Sequence, residues 1–213
     1  MIIRDKSLFL ALVLLLVVVG LVMGREIYLG RQRQTNDRIL ASLQTSVESN
    51  NIPLIPVKIG TDPLIGTGEK DLYFFGDFTC SACRNQWQLL RRWQASNPKS
   101  FTLIWKDTID LAEPESLQAA VAARCSGKNF GQFADELFAA GLLTEDNYQS
   151  IAVKLGLNSS DFKACRQEAG TARAIQANVQ AAVELGLTQT PTVYVNRRWY
   201  VGGLTEQELL GLP

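Results

Sequence analysis

Cys80 and Cys83, separated only by Ser81 and Ala82, stand where an aromatic run gives way to an amphipathic one, and this junction constrains the fold more than any other feature. The run before it, Asp71–Phe78, is rich in residues suited to a buried strand. After it, Ser81–Gln94 places Cys83, Trp87 and Leu90 on one face of a helix that Asn97-Pro98 stops. Phe101–Lys106 then reads as a second strand. Strand, helix and strand make a βαβ unit, whose crossover is right-handed. The spacing also carries chemistry. One helical turn brings the two sulfurs within disulfide reach. Cys80 falls at the helix N-terminus, where free amides and the macrodipole favour a thiolate. Cys83 lies one turn inside and is expected to be more buried, so one sulfur is nucleophilic and the other resolves.

Helical patterns follow. Leu117 and Val121 share one stripe, and Phe130, Phe133, Ala134, Leu137 and Phe138 make another. Thr144 reads as the N-cap of a helix carrying Tyr148, Ile151 and Leu155, with Gly156 just past its end. Ile175, Val179 and Val183 continue to Gly186. Strand patterns return in Thr192–Val195 and Trp199–Val201, and Thr205 caps a short last helix, Glu206–Leu210. Core packing accounts for all of these aromatic stripes.

Ahead of this domain, Ser7–Gly24 carries no charge. As a helix it rises about 27 Å, enough to cross a hydrocarbon core. Signal-peptide cores are usually shorter, so an uncleaved single-pass anchor over residues 1–24 is the favoured reading and a cleaved signal peptide its rival. Arg4 and Lys6 precede the run, but Arg25, Arg31, Arg33 and Arg38 follow it. That bias alone would keep the large domain in the cytoplasm, whereas the cysteine chemistry argues for the outside. Residues 25–60 form a basic stalk and linker. Within it Ile39, Leu40, Leu43 and Val47 suggest a short amphipathic helix, a stalk or a dimerising strip, ended by Pro53 and Pro56; Gly60–Lys70 reads as linker.

The chain has 21 basic and 21 acidic residues and no histidine. Zero net charge argues against a nucleic-acid partner. Without histidine, Ser-His-Asp and Cys-His catalysis and His-ligated metals are excluded. A zinc site of all four cysteines is disfavoured because Cys125 and Cys165 are single and far apart. A purely structural Cys80–Cys83 disulfide is disfavoured because so short a loop tends to be reducible. No metal or cofactor is expected.

The stretch Asp62–Gly66 followed by Asp71–Arg84 resembles the entrance of thioredoxin-fold proteins of the DsbA type. A second signature, Thr188–Asn196 with Thr190-Pro191-Thr192 at its centre, resembles that family's strand with a cis proline facing the active-site disulfide. The resemblance implies an α/β thioredoxin-like fold over residues 61–213: a mixed sheet of order βαβ…ββα, with a helical domain inserted at about 112–188. It makes Cys80 and Cys83 the catalytic pair and implies that Thr190 and Pro191 hold an extended substrate beside Cys80. Relatives carry a structural disulfide in the helical insert, which Cys125 and Cys165 would match; the alternative is two buried free thiols. The chain departs from the family in having Ser81-Ala82 where strong oxidants have Pro-His, so a milder potential is expected. Phe74 occupies a position that is often a buried acid, which leaves Asp77 and Lys106 as candidates for moving the Cys83 proton, if they are not simply solvated or paired side chains. The implied function is thiol–disulfide exchange with cysteine-containing exported proteins, oxidation favoured over reduction or isomerisation. It would be exercised outside the bacterial inner membrane, with a quinone-linked membrane partner to reoxidise the pair. A scaffold subunit of a membrane complex, with a structural disulfide, is the alternative.

Overall fold

The change of hydrophobic period along the sequence becomes a change of element in three dimensions. The structure, a computed structural model, describes residues 60–110 and 113–212 together with Gly20, Met23 and Pro56. The chain divides into two units, Met1–Asn50 and Asn51–Pro213, and the sheet and helices below belong to the second. Apart from Gly20 and Met23, which are helical, the expected anchor over Ser7–Gly24 lies outside the described residues, as does the stalk helix. Among the described residues no helix is long and apolar enough to cross a membrane.

The strands are β1 (Leu64–Ile65), β2 (Lys70–Gly76), β3 (Phe101–Asp107), β4 (Thr192–Val195) and β5 (Arg198–Val201). The helices are α1 (Ser81–Ser96), α2 (Pro114–Cys125), α3 (Phe130–Ala140), α4 (Glu145–Lys154), α5 (Ser159–Gln167), α6 (Ala169–Glu184) and α7 (Glu206–Leu210). The sheet order is β1-β3-β2-β4-β5. Strands β2 and β3 are parallel, as the βαβ reading requires, with Leu72 opposite Leu103 and Phe74 opposite Trp105. Every other pair is antiparallel.

The pleat sorts side chains between two faces. Leu72, Phe74, Leu103, Trp105, Val193 and Val195 join α1 and the insert in the main core. Tyr73, Phe75, Ile104 and Tyr194 face the other way, onto Ala182 of α6. The main core is built on aromatics: Trp105 stacks on Phe78 with centroids 4.8 Å apart and meets Trp87 edge-on at 5.7 Å. Phe74 packs edge-on against Trp105 at 5.2 Å. Each such buried ring contributes about 2–3 kcal/mol by area alone.

Several sequence expectations shift. The first strand stops at Gly76 rather than Phe78, because Asp77 begins the turn that leads into α1. Helix α1 runs on to Ser96 and β3 to Asp107. The segment read as linker contains β1, a strand too short to show a period, paired with β3. Leu117 is exposed, so Ser116 and Ala120, not Leu117, line the inner face of α2 beside Val121. The insert helices span 114–184. Thr144 caps α4, and Thr205 and Glu208 form a reciprocal capping box on α7.

Candidate active site

Cys80 is the N-cap of α1 and has extended backbone. Its sulfur accepts the backbone N–H of Cys83 at 3.1 Å, as an N-cap side chain does. The Cys80 thiol also points at the carbonyl oxygen of Thr190, 3.7 Å away. Cys80 is half-buried, Cys83 is fully buried, and both are free thiols. The dithiol is therefore asymmetric. A hydrogen bond from the Cys83 thiol is the largest influence on Cys80; the Thr190 side chain and the amides of Cys83 and Ala82 add to it. Against partial burial, these lower the Cys80 pKa from 9.0 to about 6. Cys83 moves the opposite way. Its proton is held by the bond to Cys80, and burial of the sulfur raises its pKa further, opposed by the Asp77 amide that faces it. The arrangement gives a thiolate at the surface and a protonated thiol beneath it, poised for attack and resolution.

Two loops frame the pair. The Thr190–Pro191 peptide is cis, and Pro191 is buried at the start of β4. On the other side of α1, Gln86 Oε1 accepts the Leu204 amide at 2.8 Å, fixing the connection from β5 to α7. Gly203, at φ +97°, passes so close that a Cβ there would lie 2.2 Å from that oxygen. Beside Thr79 a cleft of about 280 Å³ opens between the active-site turn and the insert, lined by Phe78, Arg84, Glu115 and Leu143.

Sequence reasoning placed Asp77 and Lys106 together as proton-transfer candidates, and the structure separates them. Lys106 shares its sheet face with Ile104, away from Trp105 and the cysteines. Its ammonium is buried, donating to Asp62 at 2.6 Å and to Asn178 at 3.4 Å. Asp77 lies beside the pair, but its carboxylate accepts from Thr79, Asp110 and Ser116. Ser116 was not singled out from sequence, and no local pattern marks it, since it stands 39 residues from Asp77.

Cys125 and Cys165 are joined by a disulfide with Cα atoms 5.7 Å apart, tying the last residue of α2 to α5. Four free thiolates for a zinc ion are thus not present together. Among the described residues no cluster of three or more His, Cys, Asp or Glu side chains could hold a metal.

A parallel βαβ unit with a dithiol at its β–α turn, a helical insert and a cis-proline strand facing the dithiol together define a redox-type domain of the thioredoxin superfamily. Solved structures agree on the fold. A thioredoxin-like oxidoreductase from Silicibacter pomeroyi DSS-3 superposes with TM-score 0.65 at 20% identity, covering 77% of this chain and 95% of that one. A periplasmic thioredoxin-like protein from Salmonella enterica serovar Typhimurium gives 0.61 at 19% identity, covering 80% and 92%. The thiol-disulfide exchange protein alpha-DsbA2 from Wolbachia pipientis gives 0.64 at 15% identity, covering 86% and 98%. No curated protein matches the chain. Residues 59–212 match the family model described as Thioredoxin, and the chain belongs to that family.

Proposed function

We propose that the chain is a membrane-anchored thiol–disulfide oxidoreductase that exchanges disulfides with exported proteins through Cys80 and Cys83, chiefly as an oxidase. The observation that carries this is the Cys80 sulfur, held at the N-terminus of α1 by the Cys83 amide at 3.1 Å. A stabilised thiolate favours the reduced enzyme and so makes its disulfide oxidising. In the first step a substrate thiolate attacks Cys80 of the Cys80–Cys83 disulfide, and Cys83 leaves and takes up a proton. The substrate's second thiolate then attacks its own sulfur in the mixed disulfide, expelling Cys80 as a thiolate. Two electrons pass from substrate to enzyme. An extended substrate segment would lie along the Thr190 backbone beside Cys80.

Exported substrates and a catalytic domain outside the inner membrane fit the disulfide in the insert. The same placement is suggested by the similarity to a periplasmic thioredoxin-like protein and to a thiol-disulfide exchange protein. A quinone-linked membrane protein is the proposed reoxidant, and the stalk a proposed dimer contact. The test uses the full chain, oxidised and purified in mild detergent, with a reduced dithiol peptide. Wild type should oxidise the peptide and Cys80→Ser should not. If both are equally inert and Cys80 resists alkylation after mild reduction, the enzyme reading is wrong and the scaffold reading replaces it. A tag after Pro213 should be cut by external protease in spheroplasts; protection there would put the domain inside.

A further inference from the structure

The backbone of Asp77 meets the two cysteines, and its carboxylate is turned to other donors. Its backbone carbonyl accepts the Cys80 amide at 3.3 Å, and its own amide faces the Cys83 sulfur. Its carboxylate is buried, and one oxygen accepts the Thr79 amide at 2.9 Å. The other oxygen accepts the Asp110 amide at 2.8 Å and the Ser116 hydroxyl at 2.6 Å. These donors come from three separate places: the turn that carries Cys80, the connection after β3, and the first turn of α2. Ser116 is wholly buried, so its hydroxyl has no water to compete for it. At its far end α2 carries Cys125 of the insert disulfide.

We propose that Asp77 is a positioning residue for disulfide exchange: its carboxylate locks the Asp77–Cys80 turn to α2 of the insert and so fixes the amides that surround the Cys80 sulfur. The inference rests on the reading of Cys80 as the exchanging sulfur. It gives Asp77 a different task from accepting the Cys83 proton, for which its carboxylate would need an oxygen facing that sulfur. Both oxygens are instead turned to donors in the turn and the insert. It also gives the insert a part in the chemistry, through Ser116.

Two effects of removing the carboxylate oppose each other. Losing a nearby negative charge would favour the Cys80 thiolate; losing the lock lets the turn relax and weakens its amide bonds to sulfur. The charge of Asp77 is not among the leading influences on either cysteine, so the geometric effect decides the sign. The test follows the pH dependence of Cys80 alkylation in the reduced full chain, reading the Cys80 peptide by mass spectrometry, in wild type, Asp77→Asn and Ser116→Ala. In Asp77→Asn one of two backbone amides, that of Thr79 or that of Asp110, meets a donor instead of an acceptor, and the alkylation midpoint should rise by about one unit, with about fivefold less thiolate at pH 6. Ser116→Ala should move it the same way by a smaller amount. A midpoint that stays put or falls in Asp77→Asn overturns the proposal; should that variant fail to fold, an unmoved midpoint in Ser116→Ala does so. Since the midpoint is read without substrate, an inert wild type condemns the exchange reading separately.

Discussion

Replacing Cys83 by alanine should leave less of Cys80 as thiolate at neutral pH, although nothing in contact with solvent is removed. The Cys83 thiol makes the largest contribution to lowering the Cys80 pKa to about 6. A hydrogen bond to a charged group is worth about 1.5–3 kcal/mol, or roughly one to two pKa units. Cys80 is half-exposed, and solvent screening argues for the lower end of that range. The Cys83→Ala midpoint should therefore lie near about 7, still below the ordinary thiol value because the amides of residues 82 and 83 and the Thr190 side chain remain. Cys83→Ser restores a buried donor and should bring the midpoint part of the way back. The assay is the rate of iodoacetamide reaction against pH, with the Cys80 peptide quantified by mass spectrometry. A midpoint that stays near about 6 in both variants would show that the helix terminus carries the whole shift. A serine variant no lower than the alanine variant would likewise refute the role given to the buried thiol.

Other consequences can be measured on the same protein. Reduction takes up two protons below the Cys80 pKa of about 6 but only one above it, where Cys80 is a thiolate and the buried Cys83 keeps its proton. The potential should thus change by about 60 mV per pH unit below the break and about 30 mV above it, as read by equilibration with glutathione; an unbroken line would contradict the lowered pKa. Because the folded Cys80 pKa is depressed, its contribution to the stability of the reduced protein is complete above pH 9 and is lost as pH falls through about 6. Chemical denaturation of the reduced chain between those limits should show stability rising with pH. The Cys125→Ala/Cys165→Ala double variant opens a loop with a sequence separation of 40 residues and should lose about 3–4 kcal/mol in denaturant unfolding. Gly203→Ala places a Cβ 2.2 Å from Gln86 Oε1 at φ +97° and should cost about 1–3 kcal/mol; a wild-type melting curve would show that the loop yields freely.

What the sequence discloses here is what is local. The cysteine pair, its strand and its helix lie within one short stretch, and their periods and spacing could be read directly. So could the caps at Thr144 and Thr205, which bind amides three residues away. Long-range pairing leaves no such trace. Lys106 looked like a lysine near the site until its partner Asp62, 44 residues earlier, turned out to hold it on the other sheet face. Ser116 was indistinguishable from any helical serine, because what matters about it is a carboxylate far back in the chain. Strand β1 escaped notice because two residues cannot display alternation, and only the register Leu64 to Ile104 reveals it. Leu117 misled in the other direction: of its stripe only Val121 is buried, and the face of α2 turned inward is small and tight, made by Ser116, Ala119, Ala120 and Ala123.

The disulfide in the insert has a further consequence, which lies in its place along the chain. Of the ways four cysteines can pair, Cys125 with Cys165 and Cys80 with Cys83 is the one in which each pairs with its neighbour in sequence, neither nested nor crossed. If the chain is exported as proposed, threading from its N-terminus presents the reactive pair first and the insert pair afterwards. Oxidation in order of emergence yields the native linkages directly, with no reshuffling step. On the proposed function, the protein could thus acquire its own disulfides from a simple oxidant, without waiting for a folded copy of itself.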